Sequence, residues 1–236
     1  MFIFQKIIGG LYLYNMLSQD PIRILILGDS GVGKSTFLHT FINGYIHNKK
    51  QIYPTVGISY EPATISYKNT QHKLFFFDSS GQGKFKAFLP NYYKNIRCII
   101  YMYDITINST KDNIITLINE SKETLNKYDQ KIENITGIII ANKYDLIINH
   151  NDNERNDIIN QCKELSENTD LDVFLCSSKL ELEGHTSRNG IYHLIQKYEK
   201  NQENNIEDKG SYYEPKILIT KVQVEEDNDN CACISQ

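Results

Sequence analysis

The stretch Gly28-Asp29-Ser30-Gly31-Val32-Gly33-Lys34-Ser35 narrows the possible folds of this chain more than any other. It fits G-x-x-x-x-G-K-[ST]. It follows an apolar run at 22–27, rich in β-branched residues, and precedes a segment at 36–42 whose apolar positions recur at helical spacing. A buried strand, a glycine loop and a helix are the context that makes this pattern a phosphate cradle. The glycines let the backbone wrap closely and aim N–H groups at phosphate oxygens. The helix N-terminus adds its dipole. On this reading Ser30, Gly31, Val32, Gly33 and Thr36 surround the phosphates. Lys34 places a positive charge on them, and Ser35 ligates Mg²⁺.

Length and composition set the frame. The chain has 236 residues, room for one generous domain with tails or two very small ones. A net charge of −4 gives no basic field of the kind that attracts nucleic acid, so no nucleic-acid partner is expected. Cys98, Cys162 and Cys176 fall inside apolar patterns, where a thiol acts as a small hydrophobe; Cys231 and Cys233 fall in a polar tail. This is not a disulfide framework, and it points to a reducing compartment. Residues 1–19 are mostly apolar but broken by Gln5, Lys6, Gly9-Gly10 and Asn15. They are too short and too interrupted to span a bilayer and lack a cleavage region. Two readings stand: an extra amphiphilic arm, or a working protein that begins at Met16. The second is favoured.

Strand patterns at 22–27, 57–67, 73–78, 98–103, 137–141 and 173–176 alternate with helical ones near 34–43 and 110–128, with a helix that carries Ile158, Ile159, Cys162 and Leu165, and with a helical stripe at Ile191, Leu194, Ile195 and Tyr198. Asn43-Gly44 reads as a left-handed helix cap, and Lys68-Asn69-Thr70-Gln71 as a hairpin turn. The pattern predicts an α/β fold, with a mostly parallel six-stranded sheet, one antiparallel edge strand and helices on both faces. Ligands of such sheets bind at the carboxyl ends of the strands. The domain is expected over 20–200. Beyond it lies a polar, Asn-rich and acidic tether at 201–236 with one apolar island, Ile217-Leu218-Ile219.

Three further motifs fall at those strand ends. Asp78-Ser79-Ser80-Gly81-Gln82 offers a carboxylate for Mg²⁺, a glycine N–H for the terminal phosphate and a glutamine that can orient water. Asn142-Lys143-Tyr144-Asp145 offers a carboxylate able to accept two hydrogen bonds from guanine, a pair of donors adenine lacks. The Lys143 stem can lie over the base or the phosphate loop, and Asn142 can tie loops together. Ser177-Ser178-Lys179 can bring a backbone N–H to the guanine carbonyl and a second lysine stem to the base. Each motif alone could be an ordinary turn. Four in order, each at a strand end, point to a guanine nucleotide, GTP or GDP.

The phosphate loop, Thr55-Val56-Gly57, Asn91-Tyr92-Tyr93, Tyr101-Met102-Tyr103-Asp104-Ile105-Thr106 and Asn142-Lys143-Tyr144-Asp145-Leu146 together resemble the Rab family of small GTPases, within the Ras superfamily. The resemblance covers roughly residues 20–200 and the C-terminal cysteines. It implies the P-loop small-GTPase fold, slow hydrolysis of GTP with Gln82 as the catalytic residue, and Mg²⁺ held by Ser35, Thr55 and Asp78. It also implies two switch segments, roughly 46–57 and 79–94, ordered by the γ-phosphate. By position Tyr45 resembles the aromatic that packs on the guanine edge; it could equally pack at a helix end. A monomer is implied, cycling between cytosol and the cytoplasmic face of intracellular membranes. Its implied partners are an exchange factor, a GTPase-activating protein, effectors, a prenylation escort and a GDP-dissociation inhibitor. The chain departs from Rab proteins in three places: Phe77 stands for tryptophan, Ser79-Ser80 for Thr-Ala, and Gly83 for glutamate. Gly83 bears on hydrolysis and exchange more than on nucleotide binding.

The ending Cys231-Ala232-Cys233-Ile234-Ser235-Gln236 fits the paired cysteines of Rab tails, which receive two geranylgeranyl groups. It also fits C-a-a-X with a farnesyl-type final residue. No basic run stands nearby, so a second lipid supplies the second anchoring signal. Three functional readings follow: a lipid-anchored switch in vesicle traffic, a Ras-like signalling GTPase, and a module that holds GTP but scarcely hydrolyses it.

Overall fold

A computed structural model describes residues 20–44, 54–67, 70–82, 89–130, 132–180 and 184–206. Among these, six strands form one sheet: β1 (Ile22–Gly28), β2 (Ile58–Tyr67), β3 (Thr70–Ser79), β4 (Cys98–Asp104), β5 (Thr136–Asn142) and β6 (Asp172–Leu175). They lie in the order β2-β3-β1-β4-β5-β6. β2 runs antiparallel to β3, and all other neighbours are parallel. The helices are α1 (Lys34–Asn43), α2 (Asn108–Lys127), α3 (Asp152–Thr169) and α4 (Ser187–Ile206). This is the mostly parallel sheet with one antiparallel edge strand that the alternation of patterns predicts.

Strand periodicity decides which helix covers which face. Successive side chains on a strand point to opposite faces. On β1, Ile22, Ile24 and Ile26 therefore join one core, with Phe37, Leu38 and Phe41 of α1 and Ile191, Leu194 and Ile195 of α4. Leu25 and Leu27 join the other, with Ile114, Ile118 and Leu125 of α2 and Cys162 and Leu165 of α3. Both faces are covered, which is why β1, β4 and β5 read as continuous apolar runs. Truncating one fully buried residue, such as Ile100→Ala, would cost about 2–5 kcal/mol. Cys98, Cys162 and Cys176 are free thiols inside these cores, as their apolar settings suggest.

Three details differ from the expectation. The turn expected over residues 68–71 is shorter: Thr70 and Gln71 already pair with Tyr67 and Ser66. The alternation of exposed and buried side chains that includes His72 and Leu74 begins at Thr70, so the ladder extends to that point. Gly44 has φ +77 but an extended ψ of −177, so it is not a left-handed cap; its N–H still closes on the Thr40 carbonyl at 3.0 Å. α4 runs six residues past the expected edge at 200, to Ile206. The Asn201 side chain donates to Thr136 Oγ1 at 3.1 Å, which keeps that turn against the sheet. Among the described residues, no helix is long and apolar enough to cross a membrane.

Candidate functional site

The carboxyl ends of β1, β3, β4, β5 and β6 open on one side of the sheet, and the phosphate loop, Asp78–Gln82, Asn142–Asp145 and Ser177–Lys179 sit there or directly after. The site has two halves.

In the first half, the loop after β1 turns into α1 through Gly33, whose φ is +101. A β-carbon on Gly33 would lie 2.4 Å from Asn142 Nδ2, so side chains are excluded there by contact as well as by conformation. No side chain caps α1, and its first turn carries no acidic residue. Its leading N–H groups therefore point at a space the protein itself does not fill, which suits an anion. A cavity of about 210 Å³ lies over this helix end. Ser30, Gly31, Gly33, Lys34, Ser35 and Thr36 line one side, and Pro54, Thr55, Ser79, Ser80, Gly81 and Gln82 the other. Val32 is buried beneath it. Gly81 packs hard on the loop: a β-carbon there would stand 2.2 Å from Asp29 C and Ser30 N.

Polar groups are concentrated in this half. Lys34 is 5% exposed, and its Nζ donates to the carbonyls of Gly28 (2.9 Å) and Asp29 (2.8 Å). Burial lowers its pKa to about 8, against the opposing pull of Asp78 and Asp29. Ser35 Oγ donates to Asp78 Oδ2 at 2.5 Å and lies 2.6 Å from Thr55 Oγ1, which donates to the same Oδ2 at 3.1 Å. Burial raises the Asp78 carboxyl above its ordinary pKa, outweighing the hydrogen bond from Ser35 and the charge of Lys34. Asp78 Oδ1 is buried with no hydrogen-bond partner. Two hydroxyls and one carboxylate, one oxygen of which is unpartnered among the described residues, form a hard-oxygen set that fits Mg²⁺. Such a cation would relieve Asp78 of the burial penalty. No cluster of three His, Cys, Asp or Glu forms among the described residues, so hydroxyls are integral to this set.

The second half is built by β5, β6 and the loops after them. Asn142 is 1% exposed. Its Nδ2 donates to the Val32 carbonyl at 2.8 Å, and its Oδ1 accepts from Ser178 N (3.1 Å) and Ser178 Oγ (2.9 Å). One side chain thus joins the phosphate loop to the Ser177-Ser178-Lys179 loop. Ser178 is tied in turn to α1, where Thr40 Oγ1 donates to its carbonyl at 2.8 Å. Ser177 Oγ donates to Asp145 Oδ1 at 2.8 Å and accepts from the N–H groups of Lys179 (3.3 Å) and Leu180 (2.9 Å). Lys143 takes the left-handed conformation, φ +68, and its Nζ lies 2.6 Å from Asp104 Oδ2.

Asp104 is the residue the motif reading missed. It stands in Tyr101–Thr106, but no role was assigned to it. The available signal was its place as the last residue of a buried strand, where ligand-facing groups of such sheets collect. Asp29, inside the loop pattern, is also engaged: Asn113 of α2 donates to its Oδ1 at 2.7 Å. Tyr45, Gly83, Cys231 and Cys233 lie outside the described residues, as do residues 1–19, 45–53, 83–88 and 207–236.

Comparison with known proteins agrees with this geometry. The sequence matches the Ras family over residues 23–197. Among curated relatives it is similar to the human Ras-related protein Rab-22A, 33% identical over 126 residues, which are 53% of this chain and 61% of the relative. It is similar to the rat Ras-related protein Rab-31, 33% identical over 132 residues, or 56% and 63% of the two chains. For human Rab-31 the identity is 34% over 132 residues, with the same coverage. The matched stretch thus spans less than two thirds of these relatives' own length.

Proposed function

The chain belongs to the Ras family, and we propose that it is a Rab-type GTPase: a switch that binds GTP with Mg²⁺, hydrolyses it slowly to GDP, and regulates vesicle traffic. The observation that carries this is the Asn142 side chain, which links the phosphate loop to the base loop by three hydrogen bonds. A phosphate site alone would serve many nucleotides. A phosphate site joined to the Asp145 carboxylate serves a guanine nucleotide.

Each residue then has a task. The open N-terminus of α1 and the Lys34 ammonium receive the β- and γ-phosphates; two of the three ammonium donors hold loop carbonyls and the third is left for phosphate. Asp145, oriented by Ser177, accepts from the guanine edge. Ser35, Thr55 and Asp78 would hold Mg²⁺, which would screen the phosphate charge. Gly81 brings the Gln82 segment against the loop, and Gln82 orients the attacking water. Such sites are slow alone and are accelerated when a partner supplies an arginine. A GTPase-activating protein, an exchange factor, effectors, a prenylation escort and a GDP-dissociation inhibitor are the partners proposed. Geranylgeranyl groups on Cys231 and Cys233 are proposed to hold the cytoplasmic face of intracellular membranes between cytosolic phases.

Three measurements test this. GTP should displace labelled GDP far better than ATP does; equal competition would overturn the reading. Single-turnover hydrolysis should be measurable in the wild type and fall in Gln82→Leu. Equal rates in the two would leave a GTP-holding module, the reading that Gly83 favours. Intact-mass analysis from the native cell separates two geranylgeranyl groups from the single farnesyl of a Ras-like protein.

A further inference from the structure

Among the described residues, Lys143 is a motif residue whose charge the protein itself has already taken up. Its Nζ lies 2.6 Å from Asp104 Oδ2, and Asp104 is 2% exposed. The other carboxylate oxygen of Asp104 accepts from Thr106 N (3.0 Å) and Thr106 Oγ1 (2.7 Å). The backbone around the pair is fixed as well. Asp104 stands opposite Asn142 at the end of the β4–β5 ladder, and Ile105 N donates to the Asn142 carbonyl at 3.1 Å. Burial pushes the Asp104 carboxyl up, but the bonds from Lys143 and Thr106 outweigh it and hold it below its ordinary value, charged at neutral pH. Lys143 meanwhile keeps a left-handed backbone, which is unfavourable for a lysine and persists where surroundings fix it.

From this geometry we propose that Asp104 is a positioning residue for nucleotide binding: it clamps the Lys143 ammonium so that the lysine presents its aliphatic stem, not its charge, to the guanine base. This rests on the guanine-nucleotide reading above. A free lysine would lose rotamer freedom on stacking against a base; a lysine held from behind has already lost it. A neutral ion pair also exerts little net field on the phosphates. The clamp therefore strengthens GDP and GTP binding by the same factor, whereas the magnesium-side residues act unequally on the two.

The experiment measures dissociation of fluorescently labelled GDP and GTP, in Mg²⁺, from wild type, Asp104→Asn, Lys143→Met, Lys143→Ala and the double variant Asp104→Asn/Lys143→Met. Asp104→Asn and Lys143→Met should each accelerate release about tenfold, the size of one charge-assisted hydrogen bond, equally for GDP and GTP. The double variant should be no faster than the faster single, because both break one clamp. Lys143→Ala, which also removes the stem, should release nucleotide faster than Lys143→Met. If Asp104→Asn does not fold, the partly exposed Lys143 series decides alone: release from Lys143→Met at the wild-type rate, or at the rate of Lys143→Ala, overturns the clamp. Rates that multiply in the double variant, or unequal effects on GDP and GTP, also overturn it. A wild type that retains labelled ADP as well as GDP refutes the guanine reading first, and the clamp with it.

Discussion

The base half and the phosphate half of the site handle polar groups in opposite ways. In the base half, Asn142 makes three hydrogen bonds, Asp145 is held by Ser177 and Lys143 is held by Asp104. In the phosphate half, Asp78 keeps an unpartnered buried oxygen, α1 has no side-chain cap, and Lys34 is lodged on two carbonyls with its pKa lowered to about 8. A satisfied network specifies a shape, while an unsatisfied one creates an affinity for whatever completes it. The base half thus selects by fit, and the phosphate half by charge.

Four substitutions test that contrast, ordered by their expected effect on nucleotide affinity. Asp145→Asn should lower GTP affinity by about 10³-fold, because two hydrogen bonds to a charged acceptor are each worth roughly 1.5–3 kcal/mol. It should raise affinity for xanthosine triphosphate, and competition between the two nucleotides reads both changes. Ser35→Asn should weaken GTP by about 10²-fold and GDP by less, since the cation it would help hold offsets the larger charge of the triphosphate. Titration in Mg²⁺ gives that ratio; an unchanged ratio would place Ser35 in the selecting half instead. Asn142→Ala should weaken GDP and GTP alike by about tenfold and lower stability by about 2 kcal/mol, leaving the Val32 carbonyl and Ser178 N–H without their partner. Unequal losses would show that the link serves one half only.

The smallest effect on nucleotide is expected at the opposite end of the sheet. There Asp172, 2% exposed, meets His193 Nε2 at 3.1 Å and Lys197 Nζ at 3.0 Å. Burial raises its carboxyl, but these two partners outweigh that and leave it below the ordinary pKa. Asp172→Asn should leave nucleotide affinity within about twofold while lowering stability by about 3 kcal/mol at pH 7. A carboxyl whose folded pKa is depressed stabilises above its unfolded value near 3.8, and loses that effect as pH falls through the folded pKa. Chemical denaturation of the two proteins should therefore converge below about pH 4.

Much of this was legible in the sequence because spacing along the chain carried it. Strand, glycine loop and helix are contiguous, so residues 28–36 announced the phosphate half directly. Asn142 and Asp145 were legible because they follow a strand at fixed offsets. Asp104 was not, because its tie to Lys143 arises only once β4 and β5 align with Asp104 opposite Asn142, thirty-eight residues apart in the chain. The unpartnered Asp78 oxygen was equally invisible: it depends on where Ser35 and Thr55 come to rest. The hairpin turn was misplaced because Thr70 and Gln71 are polar in type, though they continue the period-two pattern of β3.

The β2–β3 hairpin has a further consequence. Ten pairs zip its arms together, from Tyr67 with Thr70 to Ile58 with Ser79. Thr55 stands just past the last tooth of one arm, and Asp78 lies on the other, opposite Ser59. Beyond the ladder one more stitch, Ser80 N to the Gly57 carbonyl at 2.7 Å, closes the open end. The distance between the two residues that flank the magnesium position is therefore set by a ruler, not by the slack of two independent loops. A zipper opens from its free end, and here that end lies at the phosphates. On the proposed reading, loss of the terminal phosphate would act at that end, on both arms together.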